Sequence, residues 1–434
     1  GVKPPAGQGW EQDPDTLDTW FSSALWTWST LINPELADDY SLSLEQLLDH
    51  SPDFKAYHPT SVMETGWDIL FFWVARMILA TTYATGQIPF KTVYLHGLVR
   101  TETGKKMSKS DPETIIDPME VIPQYGTDAL RLALVSGVGA GADQRLGKSK
   151  IVSNRNFCNK LWNIARYVEG AVSDKGGNPI PMRPADYWIL DRLSVTSKLI
   201  EDNLADYKFF ECYLIIYHFV WKDFADWYIE ASKVQLNAPL LAYVLEETLK
   251  VVHPFAPFVT EAIWQQLNWS KKLLASELWP VVKTQPQDRQ EAHKFDILTV
   301  IVDEIRWLKA ATGIEPKRLY YHNLEAVKDD SQTLAYLTGL EEVEEVTEGY
   351  RKGLKLTWIN FDAWLDVDVA KAKTSLEAKL REAQTEVSRL RARLEKPEYV
   401  AKAPRELVEQ TKQDITVTQS TMDQLQRTLG TLES

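Results

Sequence analysis

An apolar, strand-like run at Val93, Tyr94 and Leu95 passes through Gly97 and Gly104 and delivers Lys105, Lys106 and Lys109 on a short loop of glycine and serine. An apolar helical stretch reaching about Tyr83 and a turn at Gly86 to Pro89 precede it. A helix that returns to a strand is part of a parallel βαβ unit, and in open α/β sheets ligands bind at the carboxyl ends of the strands. The lysine loop is therefore expected at a ligand-binding edge. Lysine is a compact charge on a flexible stem, and small neighbours leave backbone N–H groups free to approach an anion, so the loop reads as a grip for polyphosphate.

At 434 residues the chain is too long for one ordinary domain, and about three are expected from a norm of roughly 100–200 residues each. The net charge of −13 excludes a uniformly basic nucleic-acid coat and confines RNA contact to local patches. Cys158 and Cys212 are the only cysteines and form no CxxC pair, which argues against a disulfide framework or a cysteine zinc site and fits a reducing cytosol. No apolar run of 18 residues free of charge occurs, so no membrane span is expected.

Residues 1–15 read as a Gly- and Pro-rich linker. From Thr16 to about Leu31 apolar and aromatic residues crowd together, and Leu17, Phe21, Leu25, Trp26 and Trp28 are expected in the core. Thr65 and Gly66 look like the start of a helix with Asp68 in its first turn, where the helix dipole favours a carboxylate that caps the helix or receives a substrate ammonium. Within Ile122 to Val135, the segment 125–134 is expected to be a short helix capped by Thr127 or Asp128, and the glycines of 137–147 read as a loose joint.

Helical periodicity dominates from Lys150 to about Trp269, with Phe157, Leu161 and Ile164 on one face and Arg155, Lys160 and Arg166 largely elsewhere. Further amphipathic helices are expected at 188–204, 209–231 and 240–267, the last bent by Pro254 and Pro257. The aromatics from Phe219 to Tyr228 are expected in the core, and His218 and His253 as hydrogen-bonded core histidines. Residues 286–368 read as a small α/β module. Beyond it Leu376, Leu380, Ala383, Val387, Leu390 and Leu394 alternate four and three apart, and Pro397 and Pro404 interrupt the pattern, predicting an antiparallel coiled-coil hairpin. Its balance of about +2 makes it the surface least repellent to anions.

The segment Lys106-Met107-Ser108-Lys109-Ser110 is the KMSKS signature of class I aminoacyl-tRNA synthetases. Residues 18–26 (DTWFSSALW), 65–77 (TGWDILFFWVARM), 96–99 (HGLV) and 156–163 (NFCNKLWN) resemble bacterial valyl-tRNA synthetases, and the resemblance covers nearly the whole chain. It implies a multidomain α/β plus all-α protein. Residues 1–147 would be the second half of a Rossmann-like nucleotide-binding domain, 148–285 a helical-bundle anticodon-binding domain, 286–368 the small module, and 369–434 a coiled-coil arm lying on tRNA.

The implied activity is ATP-dependent ligation of valine to tRNA(Val) through valyl-adenylate, by a cytoplasmic monomer using ATP with Mg2+. Lys106 and Lys109 would be catalytic. ATP would be bound by His96, Gly97, Lys106, Met107, Ser108, Lys109 and Ser110. Trp20 would wall the side-chain pocket, Asp68 hold the α-ammonium and Ile69 pack on the valine methyls. Arg155, Lys160, Arg389, Arg391, Arg393 and Lys402 are expected to face tRNA.

The chain departs from the family pattern after the signature. Asp111-Pro112-Glu113-Thr114 replaces a Lys-Gly-Asn tripeptide, adding two acids beside the lysines. The family's His-Ile-Gly-His signature does not occur, so the first half of the site and the editing domain are expected on a further stretch of polypeptide. A non-catalytic tRNA-binding module and an isoleucyl-tRNA synthetase fragment are the alternative readings.

Overall fold

A computed structural model of the chain describes residues 6–107, 116–172 and 177–432. Ser108, Lys109, Ser110 and the departure at 111–114 lie outside the described residues. Two compact units form, Gly1–Asn156 with Glu201–Leu214, and Phe157–Ile200 with Ile215–Ser434.

In the first unit, β1 (Thr60–Gly66) and β2 (Phe90–His96) pair in parallel, with Gly66 opposite His96 at their carboxyl ends. Thr65 and Gly66 thus close a strand where a helix start is expected from sequence. The β-branched Thr60, Val62 and Thr65 favour the extended chain. The connection opens with a tight 3-10 turn, Trp67–Ile69, widens into a π-helical stretch, Leu70–Ala75, and becomes α-helical only over Arg76–Thr85. Asp68 accordingly lies in the 3-10 turn and not in the first turn of an α-helix.

The helix Thr19–Ser29 starts at Asp18, whose side chain accepts from the Trp20 N–H at 2.7 Å. It lies along Arg76–Thr85, and a buried Thr27–Thr81 hydroxyl pair at 2.6 Å joins them. Trp28 enters a core with Leu48 and Phe54, whereas Leu17, Phe21 and Trp26 are exposed, against expectation. One stripe of the helix meets these neighbours, so the aromatics on its other faces stay outside.

In a second parallel pair, β3 (Val99–Arg100) is joined by β4 (Gln144–Arg145), and β4 lies inside the segment expected to be a loose joint. Gln144 is buried and donates to the carbonyls of Ala133 and Ser136, which fastens β4 to the end of the helix Thr127–Val135. That helix follows Gly126 with no side-chain cap. The cap expected there is found one helix earlier, where Asp117 accepts from the Met119 N–H ahead of Pro118–Tyr125. Ala129, Leu130, Ala133, Leu146 and Ile151 form the core beneath, with Val99 and Met107 packed on it.

The second unit is mostly helical. Phe219, Phe224, Trp227 and Tyr228 are buried, as expected, in a π-helical stretch, Phe219–Tyr228, while Trp221 is half-buried. Pro254 and Pro257 end one helix, Ala238–Val252, and start another, Pro257–Leu267, so the expected bend is a full break. His253 bonds the Thr260 hydroxyl at 2.8 Å, but the His218 side chain is 68% exposed beside Asp223 and belongs to no core. The long helix Pro286–Thr312 is followed by a four-stranded sheet in the order β6 (Glu342–Glu345), β5 (Arg318–His322), β8 (Asp362–Leu365), β7 (Leu354–Lys355).

Helices Val369–Leu394 and Arg405–Gly430 form the hairpin, joined through the short helix Pro397–Lys402. Leu376, Val387 and Leu390 of the first strand of the seam are buried, as are Val408, Leu425 and Leu429 of the second. At its base Leu376 and Leu425 pack with Trp307 and Ala311 of Pro286–Thr312.

Candidate functional site

The carboxyl ends of β1 and β2 bring together Asp68, Ile69, His96 and Gly97. A methyl group at Gly66 would lie 2.7 Å from Asp68 Oδ1 and 3.5 Å from His96 Cε1, so the absence of a side chain there is what lets the carboxylate and the imidazole flank one backbone position. His96 faces two acceptors, the Gly97 carbonyl oxygen at 2.8 Å from Nδ1 and Glu64 Oε1 at 3.2 Å from Nε2. His96 and Gly97 border a 390 Å³ cavity with Glu64, Tyr94, Leu134 and Phe209, within the size range of small-ligand sites. Burial and the nearby carboxylates of Glu64 and Glu211 push the Tyr94 hydroxyl above its usual range.

Gly97 fits only as glycine. A methyl group at that position would fall 1.8 Å from the Ala142 carbonyl oxygen. This close approach lets the chain cross from β2 to β3 alongside the strand that follows Asp143.

Asp143 organises the crossing, and its role is not visible in the sequence. One oxygen accepts from the Leu98 N–H at 2.8 Å and the Trp67 indole N–H at 3.3 Å, and the other from Arg100 Nε at 2.5 Å. The Leu98 bond first, then Arg100 and Trp67, hold its carboxyl below the ordinary carboxylate range. A lone aspartate among glycines gives no sign of this. The one available signal is the strand-like pair Gln144 and Arg145 directly after it.

Beyond β3 the lysine loop is held at several points. The Gly104 N–H donates to the Thr101 carbonyl at 2.8 Å, and the Thr101 N–H to the Lys105 carbonyl at 2.9 Å, while Arg100 and Lys106 pair across the turn. Ser149, at the start of the helix Lys148–Ala171, donates to Glu102 at 2.6 Å. Met107 packs its side chain on the core beneath, which anchors the loop. The Lys106 side chain is exposed.

Trp20 stacks under the Arg76 guanidinium at 3.6 Å, and Arg76 also donates to the Ser23 hydroxyl. Trp20, Asp68 and Ile69 are all exposed. Arg155 lies 5.9 Å from the Tyr125 ring, which Lys148 approaches from 6.0 Å. In the second unit Lys160 pairs with Asp226 at 3.3 Å and lies over Trp221. Of the hairpin cations, Arg389 is bonded to Glu386 and Arg391 to Gln419, Lys402 pairs with Glu398 at 3.7 Å, and Arg393 covers the Tyr399 ring at 4.4 Å. These exposed contacts are weak enough for phosphate to displace.

Comparison with known proteins decides the family. Residues 5–146 match the family "tRNA synthetases class I (I, L, M and V)", residues 186–322 the "Anticodon-binding domain of tRNA ligase", and residues 368–433 the "Valyl tRNA synthetase tRNA binding arm". A valine–tRNA ligase of Bacillus cereus is 40% identical over 353 residues, 78% of this chain and 38% of that protein. One from Mycolicibacterium paratuberculosis is 33% identical over 98% of this chain and 50% of its own length. The chain belongs to the valyl-type class I tRNA synthetases.

The chain spans half or less of the length of these curated relatives. A solved LeuRS from Agrobacterium radiobacter K84, in a ternary complex with tRNA and LeuAMS, matches 65% of this chain and 34% of that one, with a TM-score of 0.51 at 19% identity. That likeness establishes a shared class I synthetase fold. Among the described residues no helix is long and apolar enough to cross a membrane.

Proposed function

We propose that this chain is the part of a valine–tRNA ligase that carries the lysine loop and the tRNA-binding surfaces, and that the complete protein joins valine to tRNA(Val). The observation that carries this is the gathering of the Trp67–Ile69 turn, His96, Gly97 and the loop bearing Lys106 at one strand edge of the first unit. In the first step the valine carboxylate attacks the α-phosphorus of ATP and pyrophosphate leaves, forming valyl-adenylate. In the second a ribose hydroxyl at the tRNA end attacks the acyl carbon and AMP leaves.

Neither step needs a protein nucleophile. Positioning and charge neutralisation supply the acceleration, with Lys106 and Lys109 stabilising charge that develops on the phosphates and His96 and Gly97 bordering the nucleotide. Mg2+ would accompany ATP as a counter-ion of its phosphates. Asp68 would receive the valine ammonium and Ile69 the methyls. Trp20 would wall the pocket with the face that Arg76 leaves open.

Residues 1–147 would form the second half of the nucleotide-binding domain, 148–285 the anticodon-binding bundle, 286–368 a supporting α/β module and 369–434 the tRNA arm. The first unit supports its reading as half a domain, because Phe71, Leu79 and Tyr83 are 71%, 71% and 94% exposed on one connection. Large side chains left in water along one connection favour a face that packs on further protein. The hairpin seam buries itself and its base packs on Trp307, which supports an arm of a monomer over an oligomerisation coil.

Aminoacylation is the test. The complete gene product should charge tRNA(Val) with valine and not with isoleucine. Charging with isoleucine, or tRNA binding without charging, would overturn the proposal in favour of the isoleucyl or non-catalytic reading.

A further inference from the structure

Asp143 is bonded by three donors that come from three different stations of the site. The Trp67 indole belongs to the turn that also carries Asp68 and Ile69. The Leu98 N–H belongs to the crossing just after His96 and Gly97. Arg100 lies in β3, pairs with Arg145 of β4, and pairs again with Lys106 across the lysine-loop turn. A carboxylate offers about four lone-pair sites, and three are occupied here, each by a different structural element.

The surrounding backbone leaves little slack. Gly97 is packed on Ala142, the residue before Asp143, and Gln144, the residue after it, is fastened to the end of the helix Thr127–Val135. When the Trp67–Ile69 turn shifts, the Asp143 carboxylate must either follow or release one of its donors. Following would pull on Arg100, and through it on the strand that presents Lys106.

We infer that Asp143 is a positioning residue that couples the amino-acid turn to the lysine loop, so that valine and ATP strengthen one another's binding. The inference rests on the proposed function, since it assigns valine to one end of the linkage and ATP to the other. Asp143 need touch neither ligand. By reciprocity the factor by which an ATP analogue tightens valine binding equals the factor by which valine tightens the analogue.

The test uses the complete gene product and measures valine affinity with and without a non-hydrolysable ATP analogue, in the parent, in Asp143→Asn and in Trp67→Phe. The second variant removes the indole donor while keeping an aromatic ring, and so guards against loss of the fold in the first. The parent should show coupling of about tenfold, within the usual range for linked sites, and both variants should fall to about twofold or less. Trp67→Phe should do so with an unchanged melting temperature, which a merely structural role would not produce.

Parental coupling retained in a folded Trp67→Phe overturns the inference, as does a parent whose valine affinity ignores the analogue. A parent with no valine-dependent ATP–pyrophosphate exchange overturns the functional proposal itself, and the inference falls with it.

Discussion

Gly97 packs its α-carbon against the carbonyl oxygen of Ala142, close enough that a methyl group would sit 1.8 Å away. Gly97→Ala should therefore force the β2–β3 crossing away from the segment leading into β4. The expected cost is about 1–3 kcal/mol, as for other overpacked positions. Thermal unfolding of the 434-residue chain checks the loss, and amide exchange at Leu98 should speed up with it. An unchanged melting temperature would mean that the crossing can move freely.

Asp68→Asn and Ile69→Ala should separate two functions of one turn. In the complete gene product the first should weaken valine binding by about 1.5–3 kcal/mol, the range for a hydrogen bond to a charged group. The second should loosen discrimination against larger side chains while binding valine less well. Valine KM values, measured beside those for isoleucine, distinguish the two. A normal valine KM in Asp68→Asn would reduce that residue to a surface acid of the 3-10 turn.

The hairpin cations should act through phosphate. Replacing Arg389, Arg391 and Lys402 with glutamine removes three exposed charges whose present partners, Glu386, Gln419 and Glu398, are easily exchanged. Each lost phosphate contact should flatten the log–log salt dependence of tRNA binding by roughly 0.7–0.9. Filter binding across a salt series reads this directly, and the seam residues are untouched, so helicity should hold. A salt slope equal to the parent's would remove these residues from the RNA surface.

Glu304 supports the small module from inside the long helix. Its buried carboxylate accepts from the Thr357 and Trp358 N–H groups at 2.5 and 2.9 Å, and from the Thr357 hydroxyl at 3.0 Å. Burial raises its carboxyl above the ordinary value, against the opposing pull of those bonds. A raised folded value means that the protonated side chain contributes most below the ordinary glutamate range, about 4.3, and that this contribution is lost as pH rises through the folded value. Glu304→Gln presents an amide N–H₂ to one of the donors and should cost about 1–3 kcal/mol at neutral pH. The gap to the parent in unfolding midpoint should widen as pH falls toward 4. A gap independent of pH would contradict the assigned titration.

Legibility in the sequence followed the range of the interactions. The hairpin was readable because the spacing of Leu376, Val387 and Leu390 is itself the packing rule. Strand β2 and the aromatic core around Phe224 and Tyr228 were readable for the same local reason. The Trp67–Ile69 turn is hidden in the sequence, since an apolar run after Thr65 and Gly66 looks like a helix whether or not a strand precedes it. Leu17, Phe21 and Trp26 are apolar yet exposed, and composition alone cannot reveal which faces lack a neighbour. Asp143 was missed because its partners lie 43 to 76 residues away in the chain. No local pattern encodes them.

The most direct measurement is valine-dependent ATP–pyrophosphate exchange, run on the 434-residue chain alone, on the complete gene product, and on the complete product carrying Lys109→Ala. The complete product should exchange with valine, and Lys109→Ala should lower kcat and kcat/KM together by about 10²-fold or more, as expected when a charge acts mainly on the transition state. The chain alone should bind tRNA(Val) and show no exchange. Exchange by the chain alone, or full activity in Lys109→Ala, would contradict the assignment of this chain as the lysine-loop half of a divided site.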